Sequence, residues 1–577
     1  MRRIRLLSLI FCLFLIFSCV GCFGFGGNGN GNGDGDDEDD DFTEIEFSDP
    51  DCEVLVTEYD NINEITNINT YESEVSINGE GNNREVNNGV IISPYFTVKI
   101  NDEEVEVYGT RTANGIHSFI YLDVVDTGED GFNINVEIFG TENSTVFKPK
   151  KAKVTVLPES HNIETSLNRD DKEVRAVIDK TGSFSFVFNE AYAQPLTIVV
   201  KEPIDTATLF NGYSVQEVPV GDYSKSNTYQ STLFTNQNTV YKFSKGRYLI
   251  DKIQVPSNSI IYLERGAYLE LKPSTTGSNT NGIYAYQKNN IKVVGRGLID
   301  YSACCGSSLD GSYSANKGGL SFNGCDGITF SGITVINSMT WTLTFESCKN
   351  IQVDDLMFIA YRMYADGVML SNCVNGIIED SFIRTGDDAF ETKSSGPSSQ
   401  KTNNILFQNN DAWTDKAVAY GCIYECYNDT RNVTFKNCSV GFANGFWSPH
   451  LGCLVIQLGQ EFNPGRITEN ITFENIEIYY SANQAILNCY IGGTGGKGDG
   501  AGIIQNIYFK NITAKYNMGK VLNVQTYDNE NCFINDLYLD NVKSNGELVT
   551  ADNIDTLIRD KVVGGYDLSK LHINTQI

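Results

Sequence analysis

The chain has 577 residues, 41% of them hydrophobic, enough for two or three ordinary domains with buried cores. Its formal charge of −30 excludes nucleic acid as a partner, because binding it takes a positive footprint. The acidity serves solubility, and part of it lies in the run 34–41.

The first 22 residues, MRRIRLLSLIFCLFLIFSCVGC, join a basic start to a short apolar run that ends in small residues. This is the pattern of a secretory signal, too short for a comfortable membrane span. Cys19 and Cys22 are candidate lipidation points, so the expected product is an exported monomer, extracellular or cell-surface anchored. Its only membrane contact would be through an N-terminal lipid. Residues 23–43, rich in Gly, Asn and Asp, bury nothing and read as a flexible linker. The 15 cysteines of an exported chain suggest disulfides, yet their spacing resembles neither a disulfide framework nor a zinc site. No metal and no cofactor are expected.

Residues 44–205 carry short alternating runs: FTVKI (96–100), IHSFIYLDVV (116–125), INVEIF (134–139), AKVTVL (152–157) and FSFVF (184–188). Turns rich in Asn, Gly and Asp separate them, which predicts a small antiparallel β-sandwich. It reads as a support for the larger C-terminal region, with a carbohydrate-binding module as the alternative.

Residues 206–577 change to repeats. NIKVV (290–294), GITF (327–330), NIQV (350–353), GIIE (376–379), NILF (404–407), NVTF (432–435), NITF (470–473) and NIYF (506–509) share one pattern. A small polar residue precedes Ile or Val and then alternation, with Ile351, Ile377 and Ile405 as successive aliphatic positions. Strand-length periodicity without helical segments predicts a parallel β-solenoid. The recurrent Asn fits stacked turns whose amides pair along the axis. Cys325, Cys348 and Cys373 recur in the same way, as stacked turn residues.

A second strand row holds TWTLTF (340–345), ADGVML (365–370), GDDAFETK (386–393) and AYGCIYE (419–425). It brings together Asp366, Asp387 and Asp388, with Asp366 and Asp387 aligned on consecutive coils. Equivalent positions on adjacent coils lie about 4.8 Å apart, so these carboxylates share one wall. Alternation sends Asp387 and Asp388 to opposite faces, so a turn or bulge at Gly386 must bring both to the cleft. Crowded like charges cannot all ionise near neutrality, and a retained proton is what cleavage of a glycosidic bond requires.

The stretch 365–395 resembles the polygalacturonase family of glycoside hydrolases, in which Asn-Thr-Asp followed by Gly-Asp-Asp supplies three catalytic aspartates. The sandwich and the run 240–271 resemble the related dextranase branch. The resemblance implies an all-β chain, a single-stranded right-handed parallel β-helix preceded by the smaller sandwich. It also implies an inverting hydrolase, with Asp387 as general acid and Asp366 with Asp388 activating water. Two departures stand out. The family's Gly-His-Gly is Ala419-Tyr420-Gly421 here, and its Arg-Ile-Lys clamp for a galacturonate carboxylate falls near LVIQLG (454–459), which has no basic residue. Arg466 follows a loop and is expected to cap or pair at the surface.

Tyr420, Lys416, Glu425, Lys393 and Trp413 are the substrate-binding candidates, with Tyr424, Trp447 and His450 behind them. Solvated charge or buried aromatic packing is the plain alternative for each. A non-catalytic glycan-binding surface protein, or a polysaccharide lyase, is the competing reading of the whole chain.

Overall fold

The computed structural model describes residues 45, 47, 52–60, 89–113, 115–125, 131–142, 144, 153–168, 173–224, 233–272, 280–304, 317–338, 340–445, 451–460, 462–492, 500–526, 530–558 and 567–574. The expected signal, the linker, both lipidation points, Trp447 and His450 lie outside the described residues. The described residues all belong to one compact unit, Glu44–Ile577.

Two facing sheets lie between Glu53 and Lys201. One has seven strands, among them Gly115–Val125, Gly182–Phe188 and Leu196–Lys201; the other has five, among them Phe96–Ile100, Ile134–Gly140 and Glu173–Ile178. Alternation places Val98, Val136, Ile138 and Val174 on one inner face and Ile120, Leu122, Phe186 and Ile198 on the other. Each such side chain contributes roughly 1.5–3 kcal/mol by leaving water. One pairing departs from the antiparallel expectation: Leu196–Lys201 runs parallel to Gly115–Val125. The hairpin of 182–188 with 196–201 docks as a unit, and its second strand meets its neighbour in the same direction.

From Ser214 the chain winds as a parallel β-helix. A ten-stranded row closes one side, and two interlocked rows form a twenty-two-stranded sheet on the others. The repeat motifs form one of these rows, with Ile328, Ile351, Gly376, Ile405, Val433, Ile471 and Ile507 in line. Here the expected alignment is corrected by one residue. Gly376 takes the inward place and Ile377 is 43% exposed, because a Cβ at 376 would lie 2.9 Å from Leu370 Cδ2.

The asparagines do stack. Asn350, Asn375 and Asn404 all adopt left-handed φ, which Asn tolerates better than most residues. Asn375 Nδ2 donates to Asn350 Oδ1 at 3.2 Å, and Asn404 Nδ2 to Asn375 Oδ1 at 2.8 Å. Inside, Phe407, Phe435 and Phe473 stack with centroids 4.7 and 4.8 Å apart. Cys325 N–H meets Cys348 Sγ at 3.4 Å, as expected of one corner. The disulfides suggested by export are absent among the described residues, where every cysteine is a free thiol and nearly all are buried. They fill turn corners instead, with Cys348 and Cys373 donating to the Phe322 and Phe345 carbonyls.

The sandwich packs on the β-helix through Tyr59, Phe119 and Tyr121 against Met357, Ile359, Phe382 and Trp413. Trp413, expected to stack on a sugar, is buried in this seam with its ring edge-on to His117. Its strand faces the sandwich rather than the cleft. Ion pairs tie the two parts, Arg296 to Asp123 at 2.7 Å and Lys201 to Asp355 at 2.7 Å. Arg384, paired within the β-helix to Asp415 at 2.8 Å, reaches the sandwich by donating to the Ala193 carbonyl at 2.9 Å.

Candidate active site

Five strands of the ten-stranded row frame the aspartates: β1 (Leu343–Glu346), β2 (Val368–Ser371), β3 (Phe390–Ser394), β4 (Tyr420–Cys426) and β5 (Leu454–Leu458). Leu343, Val368, Phe390, Tyr420 and Leu454 lie in line and point inward. Alternation then turns Thr344, Met369, Glu391, Gly421 and Val455 outward.

This register corrects the expected pairing of Asp366 with Asp387. Val368 pairs with Phe390, so Asp366 faces Asp388, and Gly367 N–H donates to the Asp388 carbonyl at 2.8 Å. Asp387 lies one residue earlier in the turn, where its Oδ2 accepts Tyr364 N–H at 2.7 Å. Asp388 Oδ1 accepts Val418 N–H at 3.0 Å. Gly386 permits this turn through close approach, since a Cβ there would collide with the Arg362 carbonyl.

A fourth acid sits below the aspartates. Carboxylate oxygens of Asp366, Asp388 and Glu391 all lie within 4.8 Å of one another. Lys393 Nζ lies 3.3 Å from Glu391, 3.7 Å from Asp366 and 2.6 Å from Glu425. Among the described residues this acidic group is close enough to hold a cation, and the Lys393 ammonium already fills that role.

Burial, then the charges of Glu391 and Asp387, pushes Asp366 well above the usual carboxylate range. Burial, then Asp387 and Glu391, does the same to Asp388. Asp387 is raised by burial, against the Tyr364 N–H and Lys393. Glu391 is pushed up to about 7 by burial. Burial opposes charge on Lys393, but Glu391, Glu425, Asp366 and Asp388 outweigh it and hold the ammonium firmly charged. The cluster therefore retains protons near neutrality, as acid catalysis of bond cleavage demands.

The other candidates scatter. Tyr420 is an interior residue: it stacks on Phe390 at 5.3 Å and gives its hydroxyl to the Asn410 or Ser439 carbonyl. It presents no face to a sugar, because its strand position points to the axis. Lys393 and Glu425 pair with each other instead of standing free for sugar hydroxyls. Lys416 is half-buried in the turn before β4, and Tyr424 is half-buried with left-handed φ. Arg466, expected at the surface, is buried and donates from Nε to the Ala501 carbonyl. At the place of the expected clamp, Val455 and Gln457 take the outward positions of β5.

Three residues were missed. Glu391 alternates with inward Phe390, a signal that marks its face but not its depth. Trp341 is 37% exposed, with Lys393 Nζ 5.3 Å from its ring centroid. Tyr364 is 42% exposed at φ 70°, a strained value for an aromatic residue. Trp341 lies over Lys393, which pairs with Asp366, and the Tyr364 main chain holds Asp387.

Comparisons with known proteins bear on the family and the fold. The sequence model of glycosyl hydrolases family 28 matches residues 246–557. Polygalacturonase QRT2 of Arabidopsis thaliana is 30% identical over 124 residues, 20% of this chain and 28% of that protein. Exopolygalacturonase clone GBGE184 of the same plant is 25% identical over 198 residues, 33% and 43% of the respective chains. The chain thus spans less than half the length of these curated relatives. Dex49A from Penicillium minioluteum superposes with a TM-score of 0.62 at 13% identity, covering 92% of this chain and 100% of that one. That likeness is one of fold, and it takes in the sandwich as well as the helix.

Proposed function

The chain belongs to glycosyl hydrolases family 28, and on that premise we propose that it hydrolyses glycosidic bonds in an exported polysaccharide-degrading role. The observation that carries this is the carboxylate cluster: Asp366 faces Asp388 across adjacent coils, and Asp387 is held beside them by Tyr364 N–H. Asp387 gives the proton to the leaving oxygen. Its Oδ2 accepts the Tyr364 N–H, which leaves Oδ1 to carry that proton. The opposed carboxylates Asp366 and Asp388 activate water on the other face of the ring, and inversion follows.

The substrate is a neutral or only partly acidic glycan. Outward Val455 and Gln457 replace the cationic clamp that a galacturonate carboxylate needs, and the exposed rings of Trp341 and Tyr364 suit uncharged pyranose faces. Lys416, at the turn before β4, remains a candidate for sugar hydroxyls. The test is reducing-sugar release by purified protein across pectic, dextran-type and other neutral glycans. Neutral glycans should lead. Activity on polygalacturonate well above all of them would overturn the substrate class, an unsaturated product would show a lyase, and binding without release would show an adhesin.

A further inference from the structure

Glu391 lies on the cleft side of β3 with no exposed surface, under Asp366 and Asp388. Neither of its carboxylate oxygens meets an aligned hydrogen-bond donor among the described residues. A buried carboxylate left so is costly, and native structures rarely leave one. Its in-register neighbours, Met369 and Gly421, offer no side-chain donor. Lys393 supplies charge at 3.3 Å but is shared with Asp366 and Glu425. The partner left to it is Asp366, itself buried and crowded by acids. One proton between two carboxyls makes a strong O–H to carboxylate bond and satisfies both. Asp388, by contrast, already has the Val418 N–H to steady a negative charge.

We propose that Glu391 is a positioning residue that shares one proton with Asp366, so that the pair carries a single charge fixed by Lys393 and water activation falls to Asp388. This rests on the hydrolase reading and gives its two opposed aspartates different tasks. The groups facing Glu391 are Asp366, Asp387, Asp388, Lys393 and Glu425, and only Lys393 among them is cationic. The raised affinity of Glu391 for a proton, caused first by burial, agrees with the arrangement.

Glu391→Gln keeps the shape and offers Asp366 an amide donor, and Asp366→Asn offers Glu391 one. The full chain should be melted from pH 4.5 to 8 as wild type, each single variant and the double variant. Each single variant should take up about one proton fewer on folding across pH 5–7, and the double no fewer than either alone. Additive losses, or a wild-type slope in a folded Glu391→Gln protein, would overturn the shared proton. Asp366→Asn carries the same test should Glu391→Gln fail to fold. This measurement needs no substrate, so an inactive wild type would end the hydrolase reading without deciding the pair. In an active enzyme, Glu391→Gln should also shift the pH profile of kcat by about one pH unit while KM changes less than about twofold. An unmoved profile would reduce Glu391 to packing.

Discussion

The main-chain N–H of Tyr364 reaches Asp387 Oδ2 at 2.7 Å, from a residue held at φ 70°. That bond fixes the carboxyl beside the aspartate cluster and, in the proposed reaction, leaves its other oxygen to carry the proton. Asp387→Asn keeps this bond and removes the transferable proton. Hydrolysis should fall by a factor on the order of 10² or more, with the melting temperature near wild type. The first-formed product should have inverted configuration by NMR. A near-normal rate, or retained configuration, would show the roles misassigned.

Tyr364 also has an exposed ring, on the residue whose main chain holds Asp387. Tyr364→Asn places a residue tolerant of left-handed φ at this position and removes the ring. The variant should be more stable by on the order of 1 kcal/mol. KM should nevertheless rise about fivefold, the effect of losing one stacking face of about 1 kcal/mol. Trp341→Ala should raise KM similarly. Unchanged KM in both variants would place the sugar elsewhere.

Away from the cleft, Asp411 is buried where the sandwich meets the helix and accepts Ser439 Oγ–H at 2.6 Å. Burial is the main cause that pushes its carboxyl from 3.8 up to about 7; Ser439 and Lys201 pull the other way, while Asp380 and Glu477 add to the rise. The folded state therefore holds this proton where the unfolded state has lost it. Stability falls as pH rises from about 4 to about 7. Asp411→Asn removes that loss. Its melting temperature should match wild type near pH 4 and exceed it by pH 8, by at most about 4 kcal/mol in stability. A pH-independent difference between the two proteins would contradict the assignment.

The aspartate row was legible in sequence because coil spacing alone brings Asp366 near Asp387 and Asp388. Two one-residue errors arose, at Gly376 in the repeat row and beside Ala389 in the aspartate row, because small residues there carry little hydrophobic signal for counting the inward set. Tyr420 and Trp413 were misread for a related reason. Strands in this fold are buried on the axis side by the core, and one row is buried again by the sandwich. An aromatic residue beside the acids is then as well placed for packing as for a ligand. Glu391 escaped notice because its burial comes with Asp366, Asp388 and Lys393 gathered around it across coils, which local alternation does not report.

Arg384 joins the site to the sandwich. It has no exposed surface, pairs with equally buried Asp415 at 2.8 Å, and donates to the Ala193 carbonyl at 2.9 Å. His117 Nδ1 lies 3.2 Å away, and burial followed by the Arg384 charge keeps that imidazole neutral, well below its ordinary value. Arg384→Met would leave Asp415 with the Ala113 N–H but without its cation. Breaking one side of such a pair costs about 3–5 kcal/mol, whereas replacing both partners with apolar groups recovers much of it. Urea melts should show this loss for Arg384→Met and substantial recovery in Arg384→Met/Asp415→Leu. Thr414, next to Asp415, donates its hydroxyl to the Asp387 carbonyl at 2.9 Å. Activity should therefore fall with Arg384→Met even below its melting temperature. A variant that melts like wild type would mean that the pair adds nothing to the seam.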